Sequence, residues 1–209
     1  QAASQPHIAS ALQCLASQVS SALPALLKMY QKLAHQQVLM AGAMRPESAG
    51  LKSISFKHLG LSSQSLGIVT ELLPHFKAIL AAYLPETQRR LLGELDSVVI
   101  DYETHQQSIY AKFVSIVDER RKGRMKDIAA ALAPSEGAAK APEPSANMKG
   151  VVSDLKQVHK TLRDLLTRQQ LQTVFVQMLA RFDAGLLEAY KTVDMGPAYS
   201  RQCVVQDVQ

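Results

Sequence analysis

The sequence contains no tryptophan, and aromatic residues make up only 5% of its 209 residues. Apolar residues nevertheless reach 47%, which is an ordinary share for a globular protein with a core. With so few aromatic rings, that core must consist mainly of Leu, Val, Ile, Met and Ala, as in helical bundles. The length allows one large domain or two small ones.

Cysteine and long apolar runs are also scarce. Cys14 and Cys203 form neither a CxxC motif nor a metal-ligand spacing, so we expect a reducing, cytosolic setting. The longest uninterrupted apolar run, from Ala78 to Leu84, has seven residues, whereas a membrane span needs about 18 or more. We therefore expect a soluble chain. Because the first residue is Gln, the sequence also indicates a piece of a longer protein, whose targeting signals would lie elsewhere.

Motifs of catalysis and cofactor binding are absent: there is no GxSxG, P-loop or GxGxxG sequence. No two of the six histidines have the helical i, i+4 spacing of a metal site, but Asp101 and His105 do. On a helix, this pair could supply two metal ligands or an acid and a base. The favoured interpretation is a polar pair at the margin of a packed stripe. The sequence therefore predicts no enzyme, metal or cofactor, with a helical enzyme using Asp101 and His105 as the alternative.

A basic cluster is the candidate binding site in a chain of net charge +5. Its members are Arg120, Arg121, Lys122, Arg124 and Lys126. Such a cluster favours partners that carry phosphate, including anionic membrane and nucleic acid. Aromatic residues that could stack on bases are absent from it, which argues against single-stranded nucleic acid. A solvated helix end is the favoured interpretation, followed by a patch for a membrane or an acidic protein, and we expect no nucleic-acid partner.

Helical periodicity is the strongest pattern in the chain. The 29 residues from Glu94 to Lys122 include no Gly or Pro, and apolar residues recur there every third or fourth position, as helix packing requires. A second stripe runs from Met148 to Leu165. The fold class is therefore all-α. The residues predicted to pack in the core are Phe113, Ile116, Leu155, Leu162, Phe175, Leu179 and Phe182.

Proline, glycine and composition divide the chain into five predicted segments. Residues 1–57 form an N-terminal helical segment and connection at the end of a preceding helical domain, and 58–132 form a pair of long antiparallel helices. Residues 133–145, rich in Pro and Ala, are a linker. Residues 146–193 form a helical hairpin packed on the pair, and 194–209 are a tail that could be helix, strand or disordered.

Individual helices follow from the same signals. We predict a helix over residues 8–44 that Pro24 breaks or restarts, a helix from His58 to Leu84 with a kink at Pro74, and one long helix from Glu86 to Leu132. Residues 146–166 form another. Thr167 and Gln170 match a capping box that begins the last helix, which ends near Val193. The buried face of the first helix is predicted to comprise Leu23, Leu26, Leu27, Tyr30 and Leu33.

An ordered set of short segments resembles a known family across residues 25–193. These are QVLMAGAM at 37–44, GLKSIS at 50–55, LGLSS at 59–63, LLP at 72–74, LP at 84–85, DY at 101–102 with His105, KFVSI at 112–116, PS at 144–145, and QLQ at 170–172 with Phe175. Their order and spacing resemble the C-terminal region of the vacuolar protein sorting-associated protein fifty-four family. Members of that family are subunits of the Golgi-associated retrograde protein (GARP) tethering complex.

The resemblance implies an elongated, all-helical rod of the multisubunit tethering type, without enzymatic activity. It implies capture of endosome-derived vesicles at the trans-Golgi network, with this region associating with endosomal membranes. The implied partners are other subunits of the complex, the endosomal membrane or a recruiting protein such as a small GTPase, and SNARE proteins through a more N-terminal part. The implied location is cytosolic and peripheral on trans-Golgi network and endosomal membranes. An alternative function is direct binding of anionic lipid through the basic cluster.

Two features depart from the family pattern. After Ile116 the family tends to alternate apolar and polar residues, whereas here Asp118 to Arg124 are charged except for Gly123, so this helix end is expected to fray. The linker over 133–145 is also longer and richer in Ala and Pro, which leaves the angle of the last two helices undefined.

Overall fold

The computed structural model describes residues 5–40, 55–133 and 143–208, and within these ranges it is helical with no strand. The all-α prediction is therefore confirmed. The elements are α1 (Gln5–Ala34), a π-helical turn (His35–Leu39), α2 (Phe56–Tyr83), a 3-10 helix (Glu86–Leu92), α3 (Gly93–Met125), α4 (Ile128–Ala131), α5 (Ala146–Leu162), α6 (Arg168–Tyr190) and α7 (Ala198–Val208). The chain divides into two compact units, Gln1–Ile109 and Tyr110–Gln209, and α3 contributes residues to both.

In the first unit, α1, α2 and the first half of α3 pack side by side. Gln106 of α3 donates a hydrogen bond of 2.9 Å to the Ser63 carbonyl of α2, and Lys77 lies 2.6 Å from Asp96. Because the residue numbers run in opposite directions along the two helices, α2 and α3 are antiparallel. Tyr102 donates a hydrogen bond of 2.9 Å to the Leu27 carbonyl of α1. The buried side chains include Leu59, Leu66, Leu73, Leu95, Val98, Tyr102 and Ile109.

Polar caps define the start of α2. The Ser55 hydroxyl accepts a hydrogen bond from the His58 backbone N–H, and the His58 ring accepts one from the Ser55 backbone N–H. This reciprocal pair satisfies two helix-end donors. The helix ends at Tyr83, just before Pro85, because the residue that precedes a proline is disfavoured in helical conformation. The predicted helix, His58 to Leu84, therefore begins two residues and ends one residue later than the observed α2, Phe56–Tyr83.

In the second unit, the end of α3, α4 and the α5–α6 hairpin surround an apolar core. Its buried members are Met125, Ile128, Leu132, Met148, Val151, Tyr190, Val193 and Cys203. Within this unit, the hairpin packs against α4 and the C-terminal end of α3. Across the hairpin, the rings of His159 and Phe175 meet edge to face with centroids 5.3 Å apart. The Thr167–Gln170 capping box is present as predicted and begins α6.

The tail, for which helix, strand and disorder stayed open, is the helix α7. Asp207 of α7 is 7% exposed and accepts hydrogen bonds from the Ser145 backbone N–H, the Ser145 hydroxyl at 2.7 Å and the Tyr190 hydroxyl at 2.9 Å. Ser200 donates to the Leu132 carbonyl at 2.9 Å. These bonds hold α7 against the end of α4, the start of α5 and the end of α6. Sequence periodicity alone could not show them.

Two predicted helices differ from those observed. Pro24 does not break α1, which continues to Ala34. The single helix predicted from Glu86 to Leu132 is instead a 3-10 helix, α3 and the short α4. The 3-10 helix passes directly into α3 at Gly93, and the chain leaves helical conformation at residues 126–127. Residues 41–44 of the predicted helix end, residues 45–54 of the connection and residues 134–142 of the linker lie outside the described residues.

α2 is the one helix in the described ranges whose length and composition would allow it to cross a membrane. Its most apolar 18-residue window has a mean hydropathy of 1.2, and 17% of that window is buried. The expectation from uninterrupted apolar runs missed this helix, because Ser, Thr and Gly residues interrupt its apolar residues without making it strongly polar. One such helix is weak support for a membrane span.

The predicted core residues of the second unit occupy different environments. Phe113 and Leu162 are fully buried. Ile116 and Phe175 are half-buried, and Leu155 and Phe182 are partly buried against the apolar core of this unit. Leu179 is 47% exposed, so its assignment to the core is wrong. The predicted stripe of this helix ran through Phe175, Met178, Leu179, Phe182 and Leu186, whereas the buried residues of α6 are Val174, Met178 and Tyr190.

Leu179→Gln is therefore expected to change the free energy of unfolding by less than about 0.5 kcal/mol, as exposed substitutions usually do. The new amide stays in water, so no polar group is buried. Thermal and urea unfolding monitored by circular dichroism measure the effect. A loss of about 2 kcal/mol or more, the cost of removing a buried side chain, would place Leu179 in the core after all.

Candidate functional site

The predicted basic cluster on α3 is engaged largely by acidic residues of the second unit. Arg121 is only 5% exposed, and its guanidinium donates to Asp118 Oδ1 at 2.8 and 3.0 Å and to the Gly185 carbonyl at 2.9 Å. The expectation of a fully solvated helix end is therefore wrong for Arg121. This helix end is also not frayed, since α3 continues to Met125.

Asp118 is the centre of this group of charges. It is 8% exposed, and Lys122 and Arg181 approach its Oδ2 atom at 2.9 and 3.9 Å in addition to Arg121 on Oδ1. Burial by itself would raise the pKa of Asp118, but the hydrogen bonds and positive charges of Lys122 and Arg121 together lower it below its ordinary value. Asp118 is thus ionised in the folded protein, as a buried ion pair requires.

Gly185 of α6 is required for this arrangement. An added Cβ atom at this position would overlap the Arg121 guanidinium. The lack of a side chain therefore lets the guanidinium reach the α6 backbone. The open cleft beside this contact has a volume of about 470 Å³ and is lined by both charge signs, including Lys122, Arg181 and Glu188. Because both acidic and basic side chains line it, the cleft has no strong preference for an anion.

The other members of the basic cluster are more exposed. Arg124 is 52% exposed in its side chain and pairs with Asp154 of α5 at 3.2 Å, while Lys122 is 64% exposed despite its contact with Asp118. Arg120 and Lys126 are exposed. The structure therefore separates a structural arginine, Arg121, from an outer basic rim formed by the other four residues.

The Asp101–His105 pair does not form a site. Asp101 is exposed, whereas His105 is 2% exposed and lies against His35 of the π-helical turn, with ring centroids 5.3 Å apart. No group of three or more His, Cys, Asp or Glu side chains in the described part of the chain is arranged to hold a metal ion. The favoured interpretation, a polar residue at a packed stripe, thus fits His105 better than a ligand role.

The burial of His105 can be tested by the pH dependence of the protein's stability. Burial, followed by the charge of His35, lowers its pKa from 6.5 to about 4, and neither ring nitrogen has a hydrogen-bond partner among the described residues. The unfolded state therefore binds the proton more readily, so stability is full above about pH 6.5 and is lost as the pH falls towards 4.

We expect His105→Phe to flatten this part of the pH profile, because the ring no longer titrates. Melting temperatures measured between pH 7.5 and pH 4.5 for both proteins give the comparison. Since carboxylates titrate equally in both, the difference between the curves belongs to His105. Parallel curves would show that His105 is already hydrogen-bonded or accessible to water.

An exposed apolar face on α1 and α2 was not predicted. Leu26, Tyr30 and Leu33, expected in the buried face of the first helix, are 44–56% exposed, and Leu23 and Leu27 are half-buried. On α2, the exposed large apolar residues are Leu61, Ile68, Leu72, Phe76, Ile79 and Tyr83. The signal was available in the sequence, because α2 carries apolar residues on two sides of the helix rather than one.

The sequence profile of the family described as Vps54-like protein matches residues 5–120, which is more than half of the chain and includes the whole exposed apolar face. This chain belongs to the Vps54-like protein family. The resemblance seen in the short segments is thereby confirmed, and the family is one of vacuolar protein sorting subunits.

Vps54 relatives from animals and plants match most of this chain. The human protein named vacuolar protein sorting-associated protein 54 is 32% identical over 161 residues, which is 77% of this chain and 15% of the relative. The Arabidopsis thaliana protein of that name, described as chloroplastic, is 30% identical over 174 residues, 81% of this chain and 16% of the relative. The Drosophila melanogaster protein is 29% identical over 177 residues, 85% of this chain and 17% of the relative. The chain thus spans about a sixth of their length, and no solved structure shows a significant match.

Proposed function

We propose that this chain is a non-enzymatic part of a vesicle-tethering complex, the GARP complex, that acts in retrograde transport from endosomes to the trans-Golgi network. The match of residues 5–120 to the Vps54-like family carries the proposal. The fold agrees with it, because long packed helices form binding surfaces. Within the complex, this region mediates association with endosomal membranes.

The proposed partners are the other subunits of the complex and a recruiter on the endosomal membrane, either the membrane itself or a bound protein such as a small GTPase. SNARE proteins bind elsewhere in the longer polypeptide. The proposed location is cytosolic and peripheral on trans-Golgi network and endosomal membranes.

Affinity purification of the full-length protein tests the assignment. We expect co-purification of the other tethering subunits in fixed proportion, and co-fractionation with endosomal markers that weakens when this region is deleted. A full-length protein that purifies alone, from cells in which it is folded and abundant, would contradict the proposal.

A second candidate function is direct binding of anionic lipid through the outer basic rim. The exposure of Lys122, Arg124 and Lys126 favours it, but Asp118 and Asp154 neutralise part of the rim. Each basic residue near an anionic membrane contributes about 1 kcal/mol, so the rim supplies one weak contact among several.

Flotation with phosphatidylserine vesicles is therefore expected to recover little of the 209-residue chain at physiological salt, and more at low salt. Arg120→Gln with Lys126→Gln should remove the low-salt flotation and preserve the fold, since both side chains are exposed. Arg121 is left intact because it is buried. Strong flotation at physiological salt that these substitutions abolish would make lipid binding the main function of this region.

A further inference from the structure

We infer that the exposed apolar face of α1 and α2 binds a helix of another subunit, one whose apolar heptad stripe is flanked by acidic residues. This inference adds a binding surface to the proposed function. It rests on that function only where it assigns the bound helix to another subunit of the complex. We call this surface the α1–α2 face. Its residues are Leu26, Met29, Tyr30, Leu33, Leu61, Ile68, Leu72, Phe76, Ile79 and Tyr83, all 44–57% exposed.

The spacing along α2 is that of a helix-packing seam. From Ile68 the exposed apolar residues continue at 72, 76, 79 and 83, in steps of four and three residues. The buried stripe of Leu59, Leu66, Leu73 and Leu80 lies about 110° around the helix from this row, since each residue turns it by about 100°. α2 therefore has a seam for its own unit and a second, exposed seam on an adjacent side. From 61 to 83 this second seam is about 33 Å long.

The exposed residues of α1 lie beside this seam. The Tyr30 hydroxyl is 3.0 Å from the Ser65 hydroxyl, and Ser65 occupies the position of the seam between Leu61 and Ile68. Leu26 and Leu33 lie one helical turn on either side of Tyr30. Two adjacent rows of apolar side chains at helical spacing are the surface into which a third helix packs its own ridges.

The charges on and beside the α1–α2 face indicate which kind of helix binds there. Residues 5–40 contain Lys28 and Lys32 but no acidic residue, and α2 adds Lys57 and Lys77 against the single acidic residue Glu71. Lys28 and Lys77 pair with Glu94 and Asp96 of α3, while Lys32 and Lys57 are exposed. A helix with Asp and Glu beside its apolar stripe complements this excess, as flanking charges do in coiled coils.

The same observations disfavour two other occupants. A second copy of the chain would bring its own lysines against these, and like charges oppose that pairing. Helices that lie in a membrane surface carry a strongly charged face opposite the apolar one. α2 instead has only Lys57, Glu71 and Lys77 as charged residues, and it packs a second side in its own unit, where Leu59 and Leu66 are fully buried.

Site-specific cross-linking in the full-length protein tests the inference. A photo-reactive amino acid is placed at Ile68 or Ile79, which are 53% and 57% exposed, and at Ile100 of α3, which is 61% exposed and two residues from the buried Val98 and Tyr102. We expect positions 68 and 79 to cross-link to one other subunit, within a helix that has apolar heptads and acidic flanks. Position 100 should give no such product.

Lysine substitutions test the energetics. We expect Ile68→Lys with Ile79→Lys to weaken binding of the 209-residue chain to a synthetic peptide of the cross-linked helix by at least about tenfold. Ile100→Lys is the matched control and should leave it unchanged. Circular dichroism and melting temperatures should match the wild type for all variants, because the three side chains are exposed.

Cross-links from 68 and 79 to lipid, to a second copy or to another part of the same polypeptide would overturn the inference, as would the absence of cross-links at both positions. If the full-length protein still co-purifies with tethering subunits in that case, the proposed function stands and only the docking surface is wrong. If it co-purifies with none, the proposed function fails independently.

Discussion

Replacing Asp118 with asparagine is expected to lower the free energy of unfolding by about 3–5 kcal/mol, the usual cost of leaving a buried charge without its partner. Arg121 is 5% exposed, so water cannot replace the lost carboxylate. The Gly185 carbonyl still accepts one hydrogen bond from its guanidinium, but a neutral oxygen does not balance the charge. Against a total stability of about 5–15 kcal/mol, this loss is large enough to reduce protein abundance in cells.

Glu119→Gln is the matched control, because it removes a neighbouring carboxylate that is exposed. Its effect should stay within about 0.5 kcal/mol. Urea unfolding of the two variants and the wild type gives the comparison. Since the pKa of Asp118 is lowered by folding, its contribution is present above the ordinary carboxyl pKa and is lost as the pH falls through the folded value. Equal stability of Asp118→Asn and Glu119→Gln would mean that Arg121 reaches solvent.

Gly185→Ala is expected to cost about 2–4 kcal/mol, from overpacking and from the loss of charged hydrogen bonds. The added methyl group would occupy the place of the Arg121 guanidinium, which must then leave Asp118 or the Gly185 carbonyl. An alanine inside a helix ordinarily stabilises it relative to glycine by up to about 1 kcal/mol. At position 185 we expect alanine to destabilise the chain instead, which is the opposite of its helix propensity.

Gly123→Ala is the control, and we expect it to raise the free energy of unfolding rather than lower it. Gly123 lies in α3, and a Cβ atom added there would meet no atom within 4 Å. It should therefore stabilise the chain by up to about 1 kcal/mol. Melting temperatures of the two single variants measure this difference. Stabilisation by both substitutions would show that Arg121 can leave Gly185 without cost.

Local signals in the sequence predicted most of the helices. The capping box of Thr167 and Gln170 marks the start of α6 within one residue, because both partners of that motif lie in the sequence. Proline was less informative. Pro85 does mark the end of α2, but Pro24 lies inside an unbroken α1, so the packed helix tolerates the missing N–H there.

Side-chain environments were harder to predict, for a geometric reason. Apolar residues at both 178 and 179 allow two helix phases, and the predicted stripe of the last helix contained both, so Leu179 was assigned to the core. Arg121 looked like one of five equivalent basic residues, because its partner Gly185 is 64 positions away in the sequence and glycine carries no charge signal. The α1–α2 face was missed because an apolar stripe was equated with burial, although a stripe also forms where a helix binds another chain.

A role in retrograde tethering is tested most directly by complementation in cells that lack their own Vps54-family protein. The measurement is the return of a recycling membrane cargo from endosomes to the trans-Golgi network. We predict that the full-length protein restores this return, and that a version without the region described here still co-purifies with the other subunits but fails to restore it. Full restoration by the shortened version would contradict the proposal that this region is needed for capture at endosomal membranes.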